Sequence, residues 1–210
     1  MKKTTILITL LILICTSAYS QDINIDKNTT AKPVLLGFNF APGLSWNSKK
    51  LLSDGEKYIN FSMDFGIKGM FSFSNITGLI LGMQFSKIKL EEKNSSVSLE
   101  HNLSYFQLTI SPFLRFKNLF FSTGLYIDFI ISGEQINNSN VDIDNKKYTL
   151  PNLGLIISVG YLINIYKIFS IYIDLKLKYG LNDFLKDSLT SPTSNIFGLY
   201  LDISFFFKIR

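Results

Sequence analysis

Three things are scarce in this chain: it has one cysteine, one histidine, and no long apolar run beyond its first twenty residues. Cys15 lies in a segment marked for removal, so the mature chain has no thiol for a disulfide or a thiolate metal site. One histidine, His101, is too few for a transition-metal centre. Without a stretch of about 20 apolar residues after the N-terminal segment, no membrane helix is expected. Charge is scarce too. The net value falls from +5 to +3 when Lys2 and Lys3 leave with a segment that holds no acidic residue. That is too small to point to nucleic acid. No glycine-rich phosphate loop occurs outside the alternating segments, and no solenoid-type repeat is present.

The N-terminus has the form of a secretory signal peptide, residues 1–20. Lys2 and Lys3 supply the positive region, Ile6 to Ile14 the apolar region, and Ala18-Tyr19-Ser20 the small residues before a cut at Gln21. The apolar run is short for a membrane anchor. Lipidation of Cys15 is a further alternative, although Ile14 stands where a lipobox has a small residue. Residues 21–32 are polar and without period, a periplasmic leader. Residues 33–210 form one domain.

What is abundant is apolar: 47% of residues are hydrophobic, with 19 phenylalanines. A chain this apolar with no spanning helix must bury a large core or face lipid as a barrel. The stretch 104–132 decides between period types. Phe106, Leu108, Ile110, Pro112, Leu114 and Phe116 alternate with Tyr105, Gln107, Thr109, Ser111 and Arg115. Beyond Lys117-Asn118, residues Phe121, Leu125, Ile127, Phe129 and Ile131 alternate with Ser122, Gly124, Tyr126, Asp128 and Ser132. Period-two alternation on both sides of a two-residue link predicts an antiparallel hairpin.

The same pattern recurs over 34–46, 59–72, 79–86, 153–163, 169–178 and 197–207. Polar loops are expected at 47–57, 91–102, 133–151 and 181–195, with short turns near Ser74-Asn75, Lys117-Asn118 and Tyr166-Lys167. Eight strands of roughly 11 to 14 residues, with long loops at one end and short turns at the other, predict an all-β, eight-stranded antiparallel up-and-down transmembrane β-barrel. Three short turns then put both termini on the periplasmic side of a bacterial outer membrane.

A soluble barrel would alternate as well, so the occupants of the faces matter. One face holds Asp64, Lys68, Arg115, Asp128, Asp174, Lys176, Lys178, Asp202 and Lys208 among glycines and serines. The other is Phe, Leu, Ile and Met. An eight-stranded bore has no room for so much phenylalanine, so the apolar face is expected to meet lipid and the charges to pair in the lumen. Phe38, Phe71, Phe73, Phe116, Phe120, Tyr161, Phe205 and Phe207 lie near the short-turn ends, as an aromatic girdle does. Pro112 predicts a bulge or a lost ladder bond, because a closed barrel has no edge to host it.

Residues able to carry chemistry are few. An acyl-transfer or esterase reading needs His101 beside a serine and an acid, and Ser98, Glu100 and Ser104 are close in sequence. The competing reading is a solvated histidine in an external loop. Asp142 and Asp144 could touch a divalent ion or simply solvate their loop. No catalytic, cofactor-binding or metal-binding residue is assigned.

The segments Ser111 to Phe116, Ser122 to Tyr126, Gly154 to Tyr161 and Lys178 to Asn182, with the Phe-rich alternating final strand, make the chain similar to the PorT-like outer-membrane β-barrel proteins of Bacteroidetes. The final strand looks like a signal for the barrel assembly machinery. The resemblance implies a non-enzymatic integral outer-membrane protein, structural or binding through extracellular loops. An accessory of a secretion or assembly system is the alternative, and an enzyme acting on outer-membrane lipid a third reading. Expected partners are outer-membrane lipid, the assembly machinery during biogenesis and a protein at the loops, but no nucleic acid.

Overall fold

The computed structural model describes residues 34–47, 56–93, 98–137, 140–143, 151–182 and 195–209. The expected signal peptide, leader and much of the long loops, including Asp144, lie outside the described residues. Among the described residues no helix is long and apolar enough to cross a membrane.

The elements are β1 (Val34–Asn47), β2 (Glu56–Lys57), β3 (Asn60–Ser72), β4 (Thr77–Lys93), β5 (Ser98–Phe116), β6 (Leu119–Asn137), β7 (Asn140–Ile143), β8 (Asn152–Tyr166), β9 (Phe169–Gly180) and β10 (Ile196–Ile209). Eight of them close a ring in the order β1-β3-β4-β5-β6-β8-β9-β10, every pair antiparallel, with β10 bonded back to β1. The two short strands ride on the tips of β4 and β6. Closure removes the unpaired sheet edge that a hydrocarbon surrounding forbids.

Register fixes the barrel's shape. Starting at Phe129 on β6, paired residues run Phe106, Phe85, Phe65, Phe40, Ile203, Ile173, Tyr161 and back to β6 at Leu119. The row returns 10 residues displaced, from 129 to 119, which is the shear of the barrel. With usual strand spacing and rise, that shear over eight strands gives a tilt of about 40° and a radius of about 8 Å. Such a bore is filled by side chains. Leu36, Phe38, Phe65, Ile110, Leu125, Ile157, Leu175 and Phe205 are exposed on the outward face, whereas Asp64, Asp174 and Asp202 are buried inside.

Several expectations need correction. The polar stretch 91–102 is mostly wall, because β4 continues to Lys93 and β5 starts at Ser98. β6 likewise continues to Asn137. These three strands, of 17, 19 and 19 residues, make a wall taller than the 12 to 15 residues of the other five long strands. Alternation fades there because the extension rises past the apolar band, so polar residues occupy its outward face. The third turn is Lys167-Ile168, since Tyr166 pairs with Phe169.

Pro112 costs ladder pairing and not register: β5 and β6 pair at Ile110–Leu125 and again at Phe113–Ser122, in the same frame. The bulge sits elsewhere, where Ser104 pairs with Ser132 but Tyr105 pairs with Ile130. The extra residue, Ile131, carries Ser132 to the outward face and away from the expected lumenal one. The Lys117-Asn118 turn is as predicted. Lys117 takes φ 58°, the positive value that a two-residue hairpin link demands.

Candidate functional site

The lumen is built in three layers. At the short-turn end Met70, Ile80, Phe113, Phe120, Leu162, Tyr172 and Phe206 pack into an apolar plug. At the opposite end Ile88, Leu90, Leu103, Tyr105 and Ile196 form a second plug, with Ile130 against it. Phe120 therefore belongs to the interior, not to the outward girdle. The parity of β6 puts Phe121 outside, and the neighbour of a lipid-facing strand residue points inward.

Between the plugs lie seven charges, none more than 5% exposed: Asp64, Lys68, Asp128, Asp174, Lys176, Lys178 and Asp202. Asp202 is one hub. It accepts from Lys176 Nζ at 2.6 Å and Lys68 Nζ at 2.8 Å, with Ser204 at 3.0 Å and Asn39 at 3.3 Å. Lys68 also approaches Asp174 at 3.5 Å. Asp64 is the other hub, holding Lys178 at 2.5 Å and Ser86 at 2.7 Å. Amides join the hubs. Asn39 donates to Gln84 at 3.0 Å, Gln84 to Gln107 at 2.8 Å, and Gln107 to Asp128 at 2.5 Å. Asn152 donates to Asp128 from the far side at 3.2 Å, and Lys178 also reaches Gln107 at 2.7 Å.

All eight barrel strands contribute a residue to this single network. Buried charge is tolerated because each group is paired or hydrogen-bonded. Three tyrosines wall it off. Lys178 lies 4.6 Å from the Tyr200 ring centre and 5.8 Å from that of Tyr126, and Lys68 lies 5.8 Å from that of Tyr172. The lumenal glycines make room for these rings. A Cβ on Gly154 would fall 2.1 Å from the Tyr126 ring, and one on Gly160 would fall 2.4 Å from Tyr172. A cavity of about 20 Å³ between Lys176, Asp174, Ser158, Ser122, Ser111 and Thr109 has room for about one water.

Two of the nine charges expected in the lumen lie at its mouth. Arg115 bonds the carbonyl of its own turn at Lys117, 2.5 Å away, and stacks over Phe120. Lys208 is exposed near the end of β10. Asp128 is held by the amides of Gln107 on β5 and Asn152 on β8.

The catalytic constellation does not assemble around His101. The histidine is not in a loop: it is 2% exposed, opposite Leu90 on the inner face of the tall wall. Glu100 and Ser104 lie on the outer face, where Glu100 pairs with Lys89 at 2.8 Å, and the parity of β5 puts Ser98 with them. Sequence neighbours on a strand look to opposite sides, so a Ser–His pair needs a spacing these residues lack. Among the described residues no cluster of His, Cys, Asp or Glu fits a metal. Asp142 is in β7, and its side chain lies outside the described residues.

The outward face carries a pattern the sequence alone did not reveal. Phe40, Phe65, Phe85, Phe106 and Phe129 fall in one registered row across five strands. Phe65 and Phe85 stack at 5.5 Å, and Phe85 meets Phe106 edge-on at 5.8 Å. Period-two reading assigns each to a face but cannot align strands; only register does that.

Residues 20–186 match the family model described as outer membrane protein beta-barrel domain. No curated protein matches the sequence. Among solved structures, Neisserial surface protein A is similar at a TM-score of 0.51, 9% identity, 80% of this chain and 95% of that one. Looser resemblances are Ail of Yersinia pestis (0.47, 14% identity, 84% and 100%) and OprG of Pseudomonas aeruginosa (0.47, 12% identity, 86% and 97%).

Proposed function

The chain belongs to the outer membrane protein β-barrel domain family, and from that premise we propose a non-enzymatic integral outer-membrane protein with a sealed bore that acts through its long-loop end. The observation that carries this reading is the lumen: an ionic layer closed by an apolar plug at each end. A solute path would need a continuous wet bore, and eight strands leave little. With the interior occupied, the feature left to carry a function is the tall β4–β5–β6 wall. Both termini face the periplasm in this reading.

Two measurements test it. Full-length protein in a planar bilayer is expected to show no unitary conductance, and a stable channel would overturn the sealed bore. An epitope inserted at residues 144–150 should be cut by protease on intact cells while a C-terminal epitope is protected. The reverse pattern would invert the topology. The resemblance to PorT-like proteins supports a second reading, an accessory of a secretion system docked on the tall wall. Co-purification of a stoichiometric partner from native membranes would favour it over a barrel that binds alone.

A further inference from the structure

The acidic residues of this chain avoid one end of the barrel. Segments 27–53, 65–90, 101–127, 145–173 and 203–210 contain no Asp or Glu. Between them they supply every strand and turn at the short-turn end. Basic residues do not avoid it. Arg115 and Lys117 stand at the β5–β6 turn, Lys167 at the β8–β9 turn and Lys208 near the end of β10. The three lysines are exposed and Arg115 is half-buried. Among the described residues none of the four makes an ion pair.

They fall into two pairs. Arg115 Nε donates to the Lys117 carbonyl at 2.5 Å, and its terminal N–H groups have no partner among the described residues. The Lys208 amide donates to the Ile168 carbonyl at 2.9 Å, so β10 ends beside Lys167. At a tilt of about 40°, strands climb about 2.5 Å per residue along the barrel axis and a registered row shifts about 3 Å per strand. Arg115 and Lys208 then lie within about 3 Å of the same height, and the lowest lumenal carboxylate, Asp174, lies about 10 Å above them. The plug of Met70, Phe120 and Phe206 separates the two levels. Four uncompensated cations therefore share one rim.

The surface between these cations is apolar. Phe73 and Phe116 are 59% exposed, Ile168 66% and Tyr166 73%. Phe116 meets Phe121 edge-on at 6.1 Å, and Phe169 lies 5.4 Å from Phe207. Cations interleaved with exposed rings fit the boundary between lipid headgroups and acyl chains. An acidic peptide in water would leave that apolar surface uncovered.

We propose that this rim binds the headgroup of an anionic phospholipid, phosphatidylglycerol, in the leaflet it faces. One phosphate meets Arg115 and Lys117, and a second meets Lys167 and Lys208. The acyl chains lie on Phe116 and Phe121 and on Phe169 and Phe207. Guanidinium and ammonium groups take phosphate oxygens through charge-assisted hydrogen bonds. Selectivity comes from the missing carboxylate: at this level the ammonium of a zwitterionic lipid meets only like charge. The inference rests on the topology proposed above, which turns the short-turn end to the periplasm and its phospholipid leaflet.

The test uses full-length protein purified in non-ionic detergent, given equal amounts of palmitoyl-oleoyl phosphatidylglycerol, phosphatidylethanolamine and phosphatidylcholine. Retained lipid is counted by native mass spectrometry. Phosphatidylglycerol should be retained about fivefold over each of the others, the worth of one basic residue at an anionic surface. Arg115→Gln with Lys117→Asn should about halve that preference, as should Lys167→Gln with Lys208→Gln, and all four together should abolish it. Asn is chosen at 117 because it tolerates positive φ. Lys87→Gln, on the outer face of the tall wall, should keep the preference. Heat-modifiable gel mobility checks that each barrel is folded. Equal retention of the three lipids by the unmodified protein, a preference that survives in every rim variant, or one that disappears in Lys87→Gln would overturn the proposal. The lipid count does not depend on which way the barrel lies in the cell, so the protease pattern tests the topology separately.

Discussion

The middle of the lumen and its two ends fill the same narrow bore with opposite chemistry. In the middle, Asp202, Lys68 and Lys176 hold one another at 2.6 to 2.8 Å with no exposure to speak of. At the ends, Phe120, Phe206 and Leu103 simply exclude water. A polar middle can bind strands that are far apart in sequence: Lys178 on β9 reaches Asp64 on β3 across 114 residues. An apolar end can do no such selecting, but it needs no partner to be satisfied. The ionic layer therefore specifies which strands meet across the bore, and the plugs keep it dry.

That contrast can be broken by substitution, beginning with the hub. Asp202→Ala leaves Lys68 and Lys176 buried without their shared carboxylate, and should cost about 3–5 kcal/mol. Urea unfolding in lipid vesicles, followed by Trp46 fluorescence, measures it. Adding Lys176→Met should recover part of the loss, and a double variant as unstable as the single would deny that the charges are coupled. Leu103→Ala in the upper plug should cost about 2–4 kcal/mol in the same assay by leaving a cavity. Because the loss is apolar, adding a methionine elsewhere in the ionic layer should not relieve it.

Smaller effects sharpen the picture. Gly160→Ala pushes a methyl group against the Tyr172 ring and should cost about 1–3 kcal/mol. Pairing it with Tyr172→Ala should remove most of that penalty; if it does not, the glycine is not there to admit the ring. Lys89→Ala breaks a partly exposed pair on the outer wall and should move stability by about 1 kcal/mol or less. A loss as large as that of Asp202→Ala would put the outer wall on the same footing as the ionic layer.

Most of the fold was legible in the chain because alternation is a local property. Phe106, Leu108 and Ile110 face away from Gln107 and Thr109 whatever lies beside them, and Lys117-Asn118 allows only a tight turn. The misreadings share a cause. His101, Phe120 and Ser132 each depended on something beyond the local period: the height of the wall, the side on which a residue next to a turn falls, and a bulge at Ile131. Polar composition made 91–102 resemble a loop, yet a strand above the apolar band is polar on its outer face for the same reason that a loop is. The cationic rim was legible only in part: Lys117 and Lys167 fall in short turns, but Lys208 comes beside Lys167 only through the pairing of β9 with β10.

The sequence by itself determined that this is a closed barrel with its apolar side turned to lipid. Period-two alternation, strand length and the surplus of phenylalanine can each be read within single segments, because successive side chains of a strand point to opposite faces whatever lies beside it. The tertiary structure decided the rest. Shear set how strands align, and alignment made one network of Asp64, Lys178, Gln107, Asp128, Lys68 and Asp202 from residues scattered over 138 positions. Pairing between strands depends on the closure of the whole ring, and no single stretch of chain contains it.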